Sequence, residues 1–521
     1  MKREFGGQMN SLDGTAEVSQ HRKPKMIARL YNSLTGRLVA FIVTASLLAA
    51  VTAATAQSTN TTLPPAPRRP NIIFILTDDL GYGDLGCYGS TRIKTPNLDQ
   101  LAANGIRFTD YYAGSTVCSP SRASLMLGLH TGHTNIRGNA NPTALQPEEI
   151  TVAQVLQAAG YRTGLIGKWG LAGPGSPGVP QKKGFDEFVG YLTNVEAHDY
   201  YPDFLWRYAP PSPGFNGFDD RVQLLENGGA RKGRYVPDVC TEAALNFIKI
   251  NKPDQFNRYR SFFLCLNYTT PHANNEEGRR TGNGMQVPSD APYANEPWPP
   301  TEKNKAAMIT RLDADIGRLV EQLKKLKIDT NTIIFFTSDN GPHAEGGVDP
   351  KFLQSSGPLR GIKRDLYEGG IRVPMIVSWP AQIKRGSVSD FVWASWDFLP
   401  TAADIAMTKP PPGLDGFSIL PLLTGQPQTN RHEFLYWEFH EKGFQQAVRM
   451  GNWKAVRPQA DEPLELYNLK TDPGEKKNVA KENPKIVAQI EAYLTTARTE
   501  STRWPIQKSE TKTTPKSPDK P

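Results

Sequence analysis

The sequence predicts an α/β fold: a mostly parallel central sheet flanked by helices, followed by a smaller C-terminal subdomain of antiparallel sheet plus one helix. Three observations carry this. Short apolar runs of the kind buried on both faces of a parallel sheet recur at Asn71–Thr77 (NIIFILT), Phe262–Asn267 and Thr332–Thr337 (TIIFFT). Segments of helical period alternate with them. After about Gly425 the texture changes to short aromatic alternating runs (FLYWEFH, WKAVRP, LELYNL), the pattern of half-buried antiparallel strands.

The elements follow in chain order. Leu38–Val51 is an apolar run of 14 residues, preceded by Arg22, Lys23, Lys25, Arg29 and Arg37 and followed by Ala54-Thr55-Ala56. A basic stretch, a short apolar run and an A-x-A site read as a secretory signal over residues 1–56, starting from Met1 or Met26. The run is short of the roughly twenty residues that span a bilayer. The mature chain is therefore expected to be exported, periplasmic or extracellular, with no membrane attachment after cleavage. Residues 57–69 are a polar, Pro-rich linker.

Residues 70–425 form the expected main domain. It opens with the strand Asn71–Thr77. A helix starts at Thr95-Pro96-Asn97, carries Leu98, Leu101 and Ala102 on one face and ends at Gly105. A second helix covers Ile150–Ala159, is closed by Gly160 and leads into the strand Arg162–Ile166. Thr301–Lys327 is the longest helix, with Met308, Leu312, Ile316, Leu319 and Leu323 near helical spacing, and Arg372–Ser378 is a further strand. Residues 173–184, 209–233 and 274–300 are Gly-, Pro- and Asn-rich without a period, and read as long loops, functional or disordered. Residues 426–504 form the subdomain, ending in a helix over Pro484–Arg498. Residues 505–521 are a charged, apolar-poor tail expected to be disordered.

Hydrophobic residues make up 38% of the 521 and charged ones 21%, which supports a buried core and excludes wholesale disorder. The net charge is +8, half of it within residues 1–56. What is left tolerates an anionic substrate but falls short of a nucleic-acid footprint, so no nucleic-acid partner is expected. Four cysteines (Cys87, Cys118, Cys240, Cys265) are too few for a disulfide scaffold, and export leaves three pairings open among them. Cys265, inside SFFLCLNY, reads as a small buried hydrophobe.

The first chemical signal is positional. One buried strand runs into Asp78-Asp79 and another into Asp339-Asn340-Gly341. In an open parallel sheet the ligand site lies outside the carboxyl ends of the strands. Carboxylates crowded there repel unless a cation neutralises them, and a carboxylate/amide set suits Ca²⁺ somewhat better than Mg²⁺. Either pair alone reads better as turn residues closing a strand; both pairs in matching positions tip the reading toward metal. The second signal is Cys118-Ser119-Pro120-Ser121-Arg122 heading a helical run. It reads as a thiolate nucleophile or an oxyanion site, with a cystine to Cys87 as the alternative. The third is a basic set, Lys168, His272 and Lys363, each just beyond an apolar run.

Together these residues resemble the type I sulfatase family of the alkaline-phosphatase-like superfamily. The matching segments are PNIIFILTDDLGYGDLGCYG, CSPSRASLMLG, GYRTGLIGKWG, FTSDNG and LRGIKRDLYEGGIRVP, in the family's order, and the resemblance covers about residues 70–500. It implies that Cys118 becomes formylglycine through a formylglycine-generating or anaerobic maturation enzyme, and that its hydrate attacks sulfur. It implies that Asp78, Asp79, Asp339 and Asn340, with residue 118, hold Ca²⁺. Arg122, Lys168 and Lys363 would neutralise sulfate, and His272 with Lys363 would protonate the departing oxygen. The implied substrate is a sulfate ester, of a sulfated carbohydrate in particular. Two positions depart: Gly170 stands where the family carries a histidine that assists elimination, and Leu127 stands at a helix position usually Thr, Ala or Arg. His198, in NVEAHDYYPDFLW, is the candidate for the missing imidazole or for a substrate contact, with His343 next. A phospho- or phosphonate hydrolase of the same superfamily, and a non-catalytic binder of sulfated glycans, stay as alternatives; cysteine at 118 argues for sulfate.

Overall fold

The structure is a computed structural model that describes residues 69–139, 143–211, 216–258 and 260–506. The signal segment, the linker before Arg69 and residues 507–521 of the tail lie outside the described residues. Twelve strands precede the C-terminal sheet: β1 (Asn71–Thr77), β2 (Ile106–Phe108), β3 (Tyr111–Tyr112), β4 (Arg162–Lys168), β5 (Glu187–Tyr191), β6 (Phe204–Ala209), β7 (Phe218–Gln223), β8 (Phe262–Asn267), β9 (Thr332–Ser338), β10 (Met375–Ser378), β11 (Ser387–Ser389) and β12 (Trp393–Ala394). Ten of them make one sheet in the order β11-β2-β10-β9-β1-β8-β4-β5-β6-β7, and β12 pairs with β3. The centre, β9-β1-β8-β4-β5, is parallel. At its flanks β10 runs antiparallel to β9, and β6 and β7 run antiparallel to their neighbours.

Alternation within the apolar runs explains why both faces are covered. Ile72, Phe74, Phe263, Ile333 and Phe335 join one core with the helices Cys118–Leu127, Val152–Ala158 and Phe398–Ile405. Ile73, Ile75, Leu264, Ile334 and Phe336 join the other with Pro96–Ala103, Val236–Asn251 and Pro300–Lys325. Side chains of successive strand residues point to opposite faces, so a continuous apolar run is what a doubly covered strand requires. Burying each large side chain contributes roughly 1.5–3 kcal/mol. Helix Val152–Ala158 begins with a reciprocal cap: Gln154 N–H donates to Thr151 Oγ1 at 3.2 Å and Thr151 N–H to Gln154 Oε1 at 3.0 Å.

The C-terminal strands β13 (Leu435–Phe439), β14 (Gln445–Met450), β15 (Trp453–Arg457) and β16 (Glu465–Asn468) form an antiparallel sheet in sequence order. One face packs Trp437, Phe439, Ala447 and Val456 against Tyr112, Val117, Leu366, Ile371 and Trp396 of the main body. The other receives Ile490 and Leu494 of the terminal helix Pro484–Leu494.

Several elements differ from the sequence reading. The strand expected over Arg372–Ser378 starts only at Met375, because Pro374 has no N–H to give to a ladder. The stretch 209–233 contains β7, an edge strand whose largely exposed face shows no apolar alternation. The stretch 274–300 contains the helix Asn275–Thr281, which buries no residue and so carries no hydrophobic period. It forms through its ends instead: Asn274 Oδ1 accepts from Glu277 N–H at 2.9 Å, acidic residues fill its first turn and Arg279 and Arg280 its last. The terminal helix stops at Leu494, not Arg498. All four cysteines are free thiols, so Cys118 is in no bridge with Cys87. Among the described residues, no helix is long and apolar enough to cross a membrane.

Candidate active site

Parallel neighbours deliver their carboxyl ends to one rim. β1 runs into Asp78-Asp79, β9 into Asp339-Asn340, β4 ends on Lys168 and β8 leads to His272. Gly167 makes this approach possible. Its φ is 100°, and a Cβ there would lie 1.9 Å from the Asn267 carbonyl oxygen, so only glycine fits before Lys168. Cys118 opens the helix Cys118–Leu127 beside the same rim. Asp79 has φ 67°, a left-handed conformation that persists only where its surroundings hold it.

The contacts interlock the predicted residues. Lys168 Nζ donates to Asp78 Oδ2 at 2.6 Å, and Cys118 Sγ lies 3.3 Å from Asp78 Oδ1. Arg122 forks onto Asp339 Oδ2 through Nε at 3.1 Å and Nη2 at 2.8 Å, with Nη2 also 3.6 Å from Asp78. Asp79 accepts from Lys363 Nζ at 2.9 Å and from Asn340 Nδ2 at 2.7 Å, and its backbone N–H donates to Asp339 Oδ1 at 3.2 Å. His272 donates from Nδ1 to the Ala273 carbonyl at 2.7 Å, which leaves the Nε2 lone pair facing Lys363 Nζ at 3.1 Å. Sequence reading missed Glu345, which accepts from Lys363 at 3.2 Å and also pairs with Arg364. It missed Asn139, Asn194 and Arg364 as well; each comes from irregular chain where no period marks a site.

Electrostatics sort the protons. Burial opposes ionisation of Asp78, yet the Lys168 ammonium, with Arg122 and Lys363, holds its carboxyl well below the usual range. Asp339 is pushed up to about 7 by burial and by Asp78, against Arg122. Burial acts against the charge on Lys363, but Asp79 outweighs it and keeps the ammonium protonated. Burial, then Lys363, drives His272 well below its ordinary value, so the imidazole is neutral. Burial and Asp78 raise the Cys118 thiol, which corrects the thiolate reading: despite the helix N-terminus, this cysteine is an uncharged thiol and a weak nucleophile as it stands.

The oxygen set fits a hard divalent cation. Asp78 and Asp79 lie with Cys118 and His272 close enough to share one ion, Asp339 and Asn340 are tied to Asp79 by hydrogen bonds, and Asn340 Oδ1 is buried without any hydrogen-bond partner while its Nδ2 is fully used. An orphaned buried acceptor among carboxylates is what a cation ligand looks like before the ion is counted. A second cluster, His130, His133 and Asp415, does not fit one: the two rings stack at 4.2 Å, so their in-plane lone pairs run side by side, and His130 Nδ1 already accepts from Gly132 N–H.

A cavity of about 830 Å³ opens above the rim, walled by Cys118, Asn139, Lys168, Gly170, Asn194, His198, His272, Lys363 and Arg364 among others. The larger cavity, about 1180 Å³, is bounded by Arg92, Lys351 and Arg360 and shares no lining residue with it. His198 lies in the wall, stacked on His272 at 5.0 Å with Nδ1 2.9 Å from Glu276. His343 is buried and spent: Nε2 donates to the Pro271 carbonyl and Nδ1 accepts from Glu345 N–H, which removes it as an imidazole for the pocket. Gly170 has φ 76°, and a side chain there would begin 2.7 Å from Asn194 Oδ1.

Comparison with known proteins bears on this geometry. The chain matches the sulfatase family over residues 70–408, and the C-terminal region of N-sulphoglucosamine sulphohydrolase over residues 362–500. It is 34% identical to human arylsulfatase A over 460 residues, covering 79% of this chain and 83% of that protein. It is 29% identical to N-acetylgalactosamine-6-O-sulfatase of Bacteroides thetaiotaomicron over 506 residues, 83% of this chain and 94% of that one. Among solved structures, Ps i-CgsB in complex with k-i-k-neocarrahexaose superposes with TM-score 0.69 at 29% identity, covering 84% of this chain and 95% of that one.

Proposed function

This chain belongs to the sulfatase family and hydrolyses sulfate esters, and from that premise we propose a sulfated carbohydrate as substrate, formylglycine at residue 118 and Ca²⁺ as the ion. One observation carries the reading: residue 118 shares a pocket wall with Lys168, His272 and Lys363, while its Sγ rests 3.3 Å from Asp78. Relatives that act on sulfated sugars, and a similar structure holding a carrageenan oligosaccharide, support the substrate class. The proposal includes export and a maturation enzyme as transient partner.

Asp78, Asp79, Asp339 and Asn340 would hold the cation, which when bound neutralises their charge and acidifies a hydroxyl beside it. The modification supplies an oxygen nucleophile with a second hydroxyl on the same carbon, so sulfate leaves as the aldehyde returns, a route closed to serine or thiol. Three carboxylates (Asp78, Asp79, Asp339) face three cations (Arg122, Lys168, Lys363), so a divalent ion leaves an excess of positive charge to receive a sulfate ester. Arg122 and Lys168 are locked by their carboxylates and need not reorganise as charge builds on the sulfate. The Lys363–His272 pair holds one proton, lodged on Lys363, within reach of a departing alcohol oxygen. His198, stacked on His272, sits on that leaving-group side and is assigned to substrate contact.

Peptide mass spectrometry across Cys118 after co-expression with a maturation enzyme, joined to sulfate release from defined sulfated mono- and oligosaccharides, tests the reading. Aldehyde at 118 and sulfate release are expected. Cys118→Ser should lose roughly 10⁴-fold or more in kcat/KM while keeping its Tm. A thiol retained beside a competent maturation enzyme would overturn it in favour of a glycan binder, and preferential release of phosphate would point to the phosphohydrolase alternative.

A further inference from the structure

Next to residue 118 the pocket wall is built from side-chain amides that the sequence did not single out. Asn194 Nδ2 donates to Ser119 Oγ at 2.6 Å and to Asn139 Oδ1 at 3.4 Å. Ser119 Oγ in turn donates to the Gly170 carbonyl at 2.9 Å, and Asn139 Oδ1 also accepts from Ser119 N–H at 3.0 Å. These bonds fix which way the Asn194 amide faces. Its oxygen then points at the space over Gly170, 2.7 Å from where a Cβ would stand, and Arg122 Cδ borders the same point at 3.5 Å. That oxygen is buried and has no hydrogen-bond partner. A buried acceptor left bare costs about 1–3 kcal/mol, so the wall is built for a donor.

The neighbours narrow the donor down. A sulfate group carries no hydrogen to give, and the oxygen is too enclosed for a sugar hydroxyl arriving from solvent. Residue 118, one position before the Ser119 that anchors the amide, is the remaining source. Building on the formylglycine reading above, we propose that Asn194 accepts a hydrogen bond from a hydroxyl of the hydrated residue 118, and so favours the hydrate over the free aldehyde. Water adds across the C=O to give two hydroxyls on one carbon; the aldehyde has no O–H to offer, so an acceptor at this place stabilises only the hydrate. A neutral amide orients such a hydroxyl without removing its proton. Asn194 is therefore a positioning residue for the nucleophile, and Gly170 leaves the room its oxygen needs.

The readout is the aldehyde fraction in the folded enzyme, measured as the rate of condensation with an aryl hydrazine, which consumes free aldehyde and releases water. Mass spectrometry first confirms equal conversion of Cys118 in every variant, so a failure of maturation is separated from a failure of this proposal. Asn194→Leu, which keeps the shape and loses the acceptor, should label about 5–10-fold faster than wild type. Asn194→Asp, which keeps an oxygen acceptor, should label at no more than the wild-type rate. Wild-type labelling by Asn194→Leu, or faster labelling by Asn194→Asp, overturns the assignment. If Asn194→Leu does not fold, Asn194→Ala takes its place, with faster labelling than wild type expected and wild-type labelling overturning the assignment.

Discussion

Two buried charge clusters in this molecule have the same balance and opposite purposes. At the sheet rim, Asp78, Asp79 and Asp339 face Arg122, Lys168 and Lys363. Between the main body and the C-terminal sheet, Asp110, Glu368 and Glu475 face Arg372, Arg449 and Lys454. In the second cluster every carboxylate oxygen is taken: Glu368 accepts from Lys454 at 3.0 Å, from Tyr112 at 2.7 Å and from Arg372 at 3.3 Å, Glu475 accepts from Glu368 N–H at 2.7 Å and from Lys454 at 3.4 Å, and Asp110 pairs with Arg372 and Arg449, although these three also border a cavity of about 630 Å³. In the first, Asn340 Oδ1 is bare and Lys168 and Lys363 line an open cavity. Equal charge, then, does not distinguish a clamp from a site. An unsatisfied buried acceptor does.

The largest effect that would sharpen this contrast comes from the rim. Asp339→Asn should lower sulfate release by on the order of 10³-fold, since it removes a ligand charge and unpairs Arg122. In wild type stripped by a chelator, Ca²⁺ at a hundred times its dissociation constant should add about 2.7 kcal/mol of stability, read as a rise in Tm. In the variant that rise should shrink or vanish. A full calcium response in Asp339→Asn would break the assignment of this residue as a ligand.

The clamp should answer in stability instead. Lys454→Met leaves Glu368 and Glu475 buried with less compensation and should cost about 3–5 kcal/mol, measured by denaturant unfolding. The folded fraction should keep its kcat/KM within about twofold, because Lys454 reaches no atom of the pocket. Pairing it with Glu368→Gln should recover part of the loss. Equal losses of activity and stability would mean that the two clusters are coupled and the contrast is false.

Which parts of this were legible in the sequence follows from the same physics. The runs NIIFILT and TIIFFT declare doubly covered strands by composition alone, and the acidic residues closing them are placed at one rim by parallel pairing. Lys168 and His272 follow from strands read in the same way. Asn194 and Glu345 were not legible: each arrives from irregular chain, and its value lies in an orientation fixed by partners far along the sequence. The clamp escaped for a related reason. Glu368 sits in a segment read for its family resemblance and Lys454 in one read for strand pattern, while their pairing is a tertiary fact with no spacing to announce it. The helix Asn275–Thr281 and β7 escaped because neither buries an apolar stripe.

The smallest expected effect is also the most diagnostic of a cluster whose carboxylates are all paired. Burial, with Glu368 nearby and against Lys454, pushes Glu475 up to about 7, while the Lys454 ammonium and Arg372 overcome burial and bring Glu368 down to about 2. The two carboxyls act on stability in opposite directions. Glu368 is ionised more readily folded than unfolded, so its contribution is gained as pH rises from about 2 toward 4.5 and holds above that. Glu475 keeps its proton when folded but loses it when unfolded between 4.5 and about 7, so across that window the folded state binds more protons and stability falls as pH rises. Glu475→Gln removes the second effect and leaves the first. Relative to the variant, wild type should lose on the order of 1–3 kcal/mol between pH 4.5 and 7.5, visible as a steeper fall in Tm. Parallel Tm profiles would mean that Glu475 is ionised in the folded protein, sharing Lys454 with Glu368, so that three carboxylates balance the three cations of the clamp at all pH values in that window.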